Sequence, residues 1–222
     1  MKRRAADAAL GHVTSDSVVG LGSGSTAALF IAALGDKLKA GALTGIRGIP
    51  TSEDSDRLAR ENGIELTGFK QVGRCDLTVD GADEIAPDLS LVKGLGGALL
   101  REKIVAQNSA RLIIIADAGK RVDKLGTKSP LPVEVTKFGL PATIRFLEGL
   151  NCKPVVRDDN GQPFVTDNGN LICDCHFDGG IYDPDALADT LAAQAGVVEH
   201  GLFLGLAERA LIATPDGVDE LE

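Results

Sequence analysis

The alternation of short β-rich runs with helical segments over residues 1–127 constrains this chain more than any single side chain does. Ser17–Leu21 (SVVGL) reads as a strand, and a glycine turn separates it from a helix over Ser25–Lys39. Further strands are predicted near Ile46–Ile49, at Ile64–Leu66, over Cys75–Asp80, at Leu89–Val92 and over Arg111–Ala116 (RLIIIA). Helices are predicted over Glu53–Asn62 and Gly97–Asn108. Thr51-Ser-Glu-Asp54 supplies the first of these with an N-cap and acidic residues that favour the helix dipole. Helix and strand alternating at this rhythm imply a mostly parallel sheet covered on both faces.

After Leu131-Pro132 the pattern changes. Val133–Val135 reads as a strand and Pro141–Leu150 as a helix, followed by strands around Pro154–Arg157 and Leu171–Cys175. Asn160-Gly161 and Asn168-Gly169 mark tight turns between β segments. A helix over Pro184–Ala195 and a strand near Val197–Val198 complete a β-α-β-β-α-β order, the split, ferredoxin-like pattern. The last apolar run, Ala210–Ala213, is expected to return to the first sheet. The fold class expected is therefore α/β: a mostly parallel doubly wound sheet with an inserted ferredoxin-like α+β domain. Residues 1–127 and 204–222 would form the catalytic domain, and residues 128–203 the insertion.

The 222 residues carry a net charge of -9 with Lys and Arg dispersed, which argues against a nucleic-acid surface. Attraction of an anionic ligand must then be local, built from particular lysines and backbone amides. No run approaches the ~18 apolar residues of a membrane span. The opening MKRRAADAAL lacks the continuous apolar stretch of a signal peptide. The cysteines, Cys75, Cys152, Cys173 and Cys175, fit neither a disulfide framework nor a paired C-x-x-C zinc pattern. In a strand Cys173 and Cys175 share one face while His176 points to the other, which favours buried apolar thiols over a metal site. Reduced thiols suit the cytoplasm.

One charged residue is out of place. A helical projection of Gly97–Asn108 flanks Glu102 with Ala98, Leu99, Val105 and Ala106. A carboxylate on the buried stripe costs stability unless it is paired or employed. Its neighbours Arg101 and Lys103 point elsewhere, because adjacent helical residues do not face each other.

Three turns surround this helix in sequence. Gly22-Ser23-Gly24-Ser25-Thr26 ends a strand and opens a helix, which makes a phosphate cradle of amides and hydroxyls; the same residues would also serve as a plain turn with helix caps. It lacks the lysine of a P-loop and the complete G-x-G-x-x-G of a dinucleotide fold. Asp80-Gly81-Ala82-Asp83-Glu84 follows a strand, so Asp80 stands where open α/β sheets bind ligands; a solvated turn or a magnesium site are the other readings. Lys93 opens a third turn, Lys93-Gly94-Leu95-Gly96-Gly97, and Lys120 lies beyond a further strand end. His12, His176 and His200 sit in none of these turns, and no G-x-S-x-G is present.

Taken together, these segments resemble type A ribose-5-phosphate isomerase. The matching pieces are GLGSGSTA (20–27), DLTVDGADEI (76–85), KGLGGALLREKI (93–104), IIIADAGKRVDKLG (113–126), PLPVEV (130–135), HGLF and ATPDGV. The resemblance implies interconversion of ribose 5-phosphate and ribulose 5-phosphate with no metal and no organic cofactor, by a homodimer or homotetramer. It puts the general base on Glu102, the acidic loop on Asp80 and Asp83 with Gly81 and Ala82 between them, and the active-site lysine on Lys93, followed by Gly94, Leu95 and Gly96. The phosphate-binding turn falls on Ser23, Gly24, Ser25 and Thr26, assisted by Lys120 and Lys2. The family usually has three successive glycines after the lysine, where this chain carries Leu95. At a positive φ a leucine there would be strained by ~1–3 kcal/mol.

The residues suit that chemistry on their own terms. Aldose–ketose isomerisation passes a proton between C1 and C2 through an enediolate, and one carboxylate base suffices. A rival enzyme on the same architecture, a deaminase or lactonase acting on sugar phosphates, would be expected to lean on a histidine. A sugar-phosphate sensor would need the cradle but not Glu102, Lys93 and both aspartates.

Overall fold

The computed structural model describes residues 1–222. The chain forms two compact units, one from Met1–Ala82, Arg101–Lys120 and Leu206–Glu222, the other from Asp83–Leu100 and Arg121–Gly205.

The first unit is built on a seven-stranded sheet. Its strands run in the spatial order Val218–Leu221, Arg209–Ala213, Leu112–Asp117, Leu77–Asp80, Val18–Leu21, Arg47–Pro50 and Glu65–Leu66. Every neighbouring pair is parallel except the first, where the terminal strand closes the edge antiparallel. The central strands are buried along their length, as runs such as LIIIAD require when helices cover both faces. On one face Leu21, Val79, Ile113 and Ile115 pack with Phe30, Ile31 and Leu34 of the helix Ser25–Lys39. Each such side chain contributes about 1.5–3 kcal/mol on burial. On the other face Val105 of the helix Leu99–Gln107 lies so near Gly20 that a Cβ there would come within 2.8 Å of its Cγ1.

Two boundaries follow from local chemistry. Ser52 caps the helix Glu53–Glu61 in a reciprocal box with Ser55, and Glu53, Asp54 and Asp56 lie in its first turn. The predicted strand at Leu89–Val92 begins only at Leu91. Leu89 adopts φ 63, and Asp88 accepts bonds from both the amide and the hydroxyl of Ser90, closing a turn where the apolar pattern suggests a strand. An N-terminal helix, Lys2–Leu10, was not legible as one. It buries only Ala5, Ala6 and Ala9, residues too small to write an apolar stripe.

The second unit holds a four-stranded antiparallel sheet in the order Val197–His200, Leu131–Val135, Leu171–His176 and Lys153–Val156. The helices Leu140–Glu148 and Pro184–Ala192 cover one face of it around Val133, Val135, Leu147, Cys173 and Leu191. This is the β-α-β-β-α-β order expected from the sequence. The turn Asn160-Gly161 joins two short strands with both residues at positive φ, the geometry that twisted hairpins favour. A three-stranded sheet of Glu84–Ile85, Leu91–Val92 and Leu202–Phe203 completes the unit.

Candidate active site

In the first unit the direction of strand succession reverses between Val18–Leu21 and Leu77–Asp80. A crevice opens at such a point beyond the carboxyl ends of the strands, the place where ligands bind in open α/β sheets. Two of the turns singled out from the sequence begin there, and their contacts interlock. Asp80 is 1% exposed. Its Oδ1 accepts the amide of Ser23 at 3.0 Å and that of Gly81 at 2.7 Å. Gly22 has to be glycine for this, since a Cβ on it would stand 2.2 Å from that same oxygen.

Gly24, at φ 87, precedes the helix Ser25–Lys39, and no side chain caps that helix. Its N-terminus therefore presents amides and a positive dipole end beside the exposed hydroxyl of Ser25 and the half-buried Thr26. Lys2 donates from Nζ to Ser25 Oγ at 2.8 Å. Ser23 differs from its neighbours: its Oγ is bound to Thr51 Oγ1 and to Ser52 Oγ, at 2.8 and 2.7 Å. Ser23 thus ties the turn to the next strand, a contact that the glycine pattern alone does not disclose. Lys120 ends a short 3-10 turn, Ala118–Lys120, directly after the strand Leu112–Asp117.

Glu102 lies in the first turn of the helix Leu99–Gln107 and is 6% exposed. Ala98, Leu99, Val105 and Ala106 are buried too, so the stripe read from the sequence is the buried one. Lys103 departs from the amphipathic reading. It is buried at 5% exposure, while Arg101 keeps an ionic contact with Glu53 at 3.8 Å.

The second unit holds Asp83, Lys93 and the glycine turn. Lys93 is 2% exposed. Its amide donates to Gly201 O at 2.9 Å, and its Nζ stands 5.3 Å from the Phe203 ring centroid. Gly94 and Gly97 adopt φ 106 and 83, and a Cβ on either would collide, with Leu99 and Phe164 respectively. Leu95 is not among the residues at positive φ. The strain considered for it does not arise, and its side chain is exposed. Its amide donates to Asp83 Oδ2 at 2.9 Å. Glu84, the last residue of the acidic motif, is fully buried and accepts the amides of Gly126, Lys128 and Ser129, each at 2.6 Å. It anchors a loop.

Cys173 and Cys175 face the apolar core while His176 is exposed. Burial pushes the Cys173 thiol up to about 11. A hydrogen bond with Cys152, reinforced by burial, raises that of Cys175. No group of three or more His, Cys, Asp or Glu side chains is arranged to hold a metal, and no helix is long and apolar enough to cross a membrane.

Residues 47–217 match the family described as ribose 5-phosphate isomerase A (phosphoriboisomerase A). Ribose-5-phosphate isomerase A of Roseiflexus castenholzii is 55% identical over 222 residues, covering 100% of this chain and 94% of that one. Among solved structures, a D-ribose-5-phosphate isomerase in complex with phospho-erythronic acid superposes with a TM-score of 0.96 at 41% identity, covering 100% of this chain and 97% of the other. The ribose 5-phosphate isomerase of Plasmodium falciparum does so with a TM-score of 0.96 at 39% identity and the same coverage.

Proposed function

We propose a division of labour among these residues from one premise: the chain belongs to the ribose 5-phosphate isomerase A family. It is an aldose–ketose isomerase that interconverts ribose 5-phosphate and ribulose 5-phosphate. In our reading Glu102 is the base that takes the proton from C2 of the open-chain aldose and returns it to C1. The observation that carries this is a carboxylate only 6% exposed on the buried stripe of its helix, where reduced contact with water strengthens its electrostatic action.

Lys93 stabilises the oxyanion that develops as the carbonyl becomes an enediolate. Its burial supports that role, because an ammonium in a dry site needs no reorganisation as charge develops. Asp80 and Asp83 handle ring opening and the hydroxyl protons. Ser23, Gly24, Ser25 and Thr26 receive the phosphate with Lys120 and Lys2, and Gly81, Ala82, Gly94, Leu95 and Gly96 line the sugar. What supports the phosphate assignment is the uncapped helix start with Lys2 already bonded to Ser25. We also propose a homodimer or homotetramer working in the cytoplasm, which light scattering and cell fractionation would check.

Glu102→Gln is the decisive variant. A positioned base contributes about 10²–10⁴-fold, so turnover should fall by that factor while calorimetry still detects ribose 5-phosphate binding. Weak binding with near-normal turnover at saturation would overturn the assignment.

A further inference from the structure

The turn that follows Lys93 is intrinsically loose and must be held by its contacts. Three of its residues are glycines, Leu95 and Gly96 are exposed, and glycine backbone is the costliest to immobilise. Besides Asp83, which accepts the Leu95 amide, a second side chain of this unit grips it through its carbonyls. Arg157, just beyond the strand Lys153–Val156, donates from Nη1 to the carbonyls of both Gly94 and Leu95, each at 3.0 Å. Two of its three remaining donors go to Asp174: Nε to Oδ2 at 2.9 Å and Nη2 to Oδ1 at 2.6 Å. The pair is largely buried, with side chains 13% and 17% exposed. A bidentate pair in that setting holds the guanidinium plane in one orientation. Phe164 backs the arrangement. Its ring lies 5.7 Å from the guanidinium carbon and presses on Gly97 closely enough to exclude a Cβ.

Peptide geometry makes this grip informative. Every peptide bond is trans, so the carbonyl and amide of one unit point in opposite directions. Fixing the carbonyl of Gly94 therefore aims the amide of Leu95, which is the amide that Asp83 accepts. Fixing the carbonyl of Leu95 aims the amide of Gly96 away from Arg157 in the same manner. We propose that Arg157, held by Asp174, is a positioning residue of the isomerase: it sets the two peptide planes after Lys93, and through them the Asp83 carboxylate and the Gly96 amide. A lysine cannot replace it, since one ammonium cannot face two carbonyls while holding a carboxylate in two parallel bonds. This inference rests on the reading that the turn after Lys93 contacts substrate.

The test uses Arg157→Lys, Arg157→Ala and Lys93→Ala in the full-length protein, each with a thermal melt. Arg157→Lys should remain folded and lose about 10- to 100-fold in kcat/KM, the scale of hydrogen bonds made to charged groups. Arg157→Ala should lose at least as much and regain several-fold on adding guanidinium chloride well below unfolding concentrations. Methylammonium chloride should restore nothing, and the wild type should respond to neither salt. Arg157→Lys with both constants within twofold of wild type overturns the proposal. So does an Arg157→Ala deficit that ignores guanidinium and tracks the unfolded fraction. Lys93→Ala separates the two layers. If it keeps normal turnover, the reading of the turn falls; if it fails while Arg157→Lys is normal, only the brace falls.

Discussion

Asp83 and Leu95 meet through one bond, from the Leu95 amide to Asp83 Oδ2 at 2.9 Å, and the leucine side chain takes no part in it. Position 95 therefore needs an N–H and a negative φ, not a glycine. Leu95→Pro deletes the donor and should lower kcat/KM by about 10- to 100-fold. Leu95→Gly keeps the amide and should lose far less, though added chain freedom costs up to ~1 kcal/mol of stability. Steady-state kinetics on the two variants decide the point, and equal losses would show that the side chain matters.

Gly22→Ala introduces a Cβ that cannot coexist with Asp80 as it stands, because Asp80 Cα and Oδ1 both lie within 2.5 Å of it. Overpacking of this kind costs about 1–3 kcal/mol, and the aspartate must give way. Activity should drop to the level of Asp80→Asn, measured side by side. A Gly22→Ala structure with the Ser23–Asp80 bond intact would refute this.

Glu84→Gln should destabilise without touching the chemistry. The carboxylate satisfies three backbone amides, whereas a glutamine must turn an NH₂ group toward at least one of them. Losing charge-assisted bonds in a buried site costs about 2–3 kcal/mol. Denaturant titration should show an earlier midpoint, with turnover per folded molecule preserved.

The ion pair of Arg111 and Glu208 predicts one acid-sensitive contribution. Two hydrogen bonds from Arg111, at 2.7 and 2.9 Å, hold the Glu208 carboxyl below its ordinary value of 4.5. A carboxyl lowered in the folded state stabilises above its unfolded pKa, and that stabilisation is lost as pH falls through the folded one. Both side chains are 37% exposed, so screening limits the effect to about 0–1 kcal/mol. Melts of wild type and Glu208→Gln should differ slightly near neutrality and converge in acid. A gap that widens in acid would reverse the sign argued here.

Sequence periodicity disclosed what period and punctuation can encode. The helix Ser25–Lys39, the parallel core strands, the Asn160-Gly161 turn and the buried side of Glu102 all follow from apolar spacing and turn chemistry. It missed what depends on partners far along the chain. Glu84 looks like one more acid in a turn until residues 126–129 come round to it. Ser23 reads only as part of a glycine-flanked turn, since nothing local signals that Thr51 and Ser52 also bond its hydroxyl. Arg157 reads as the polar end of a strand, since nothing local signals that residues 94, 95 and 174 converge on it. The Lys2–Leu10 helix escaped for a different reason, because alanine carries too little hydrophobic signal.

The path of the chain has an engineering corollary. It passes from one compact unit to the other between residues 82 and 83, 100 and 101, 120 and 121, and 205 and 206. A fragment spanning 121–205 would lack the strands Glu84–Ile85 and Leu91–Val92, leaving Leu202–Phe203 with no edge to join. The second unit therefore cannot be excised or transplanted whole by two cuts, and the chain crosses one of the seams inside the acidic turn Asp80–Asp83.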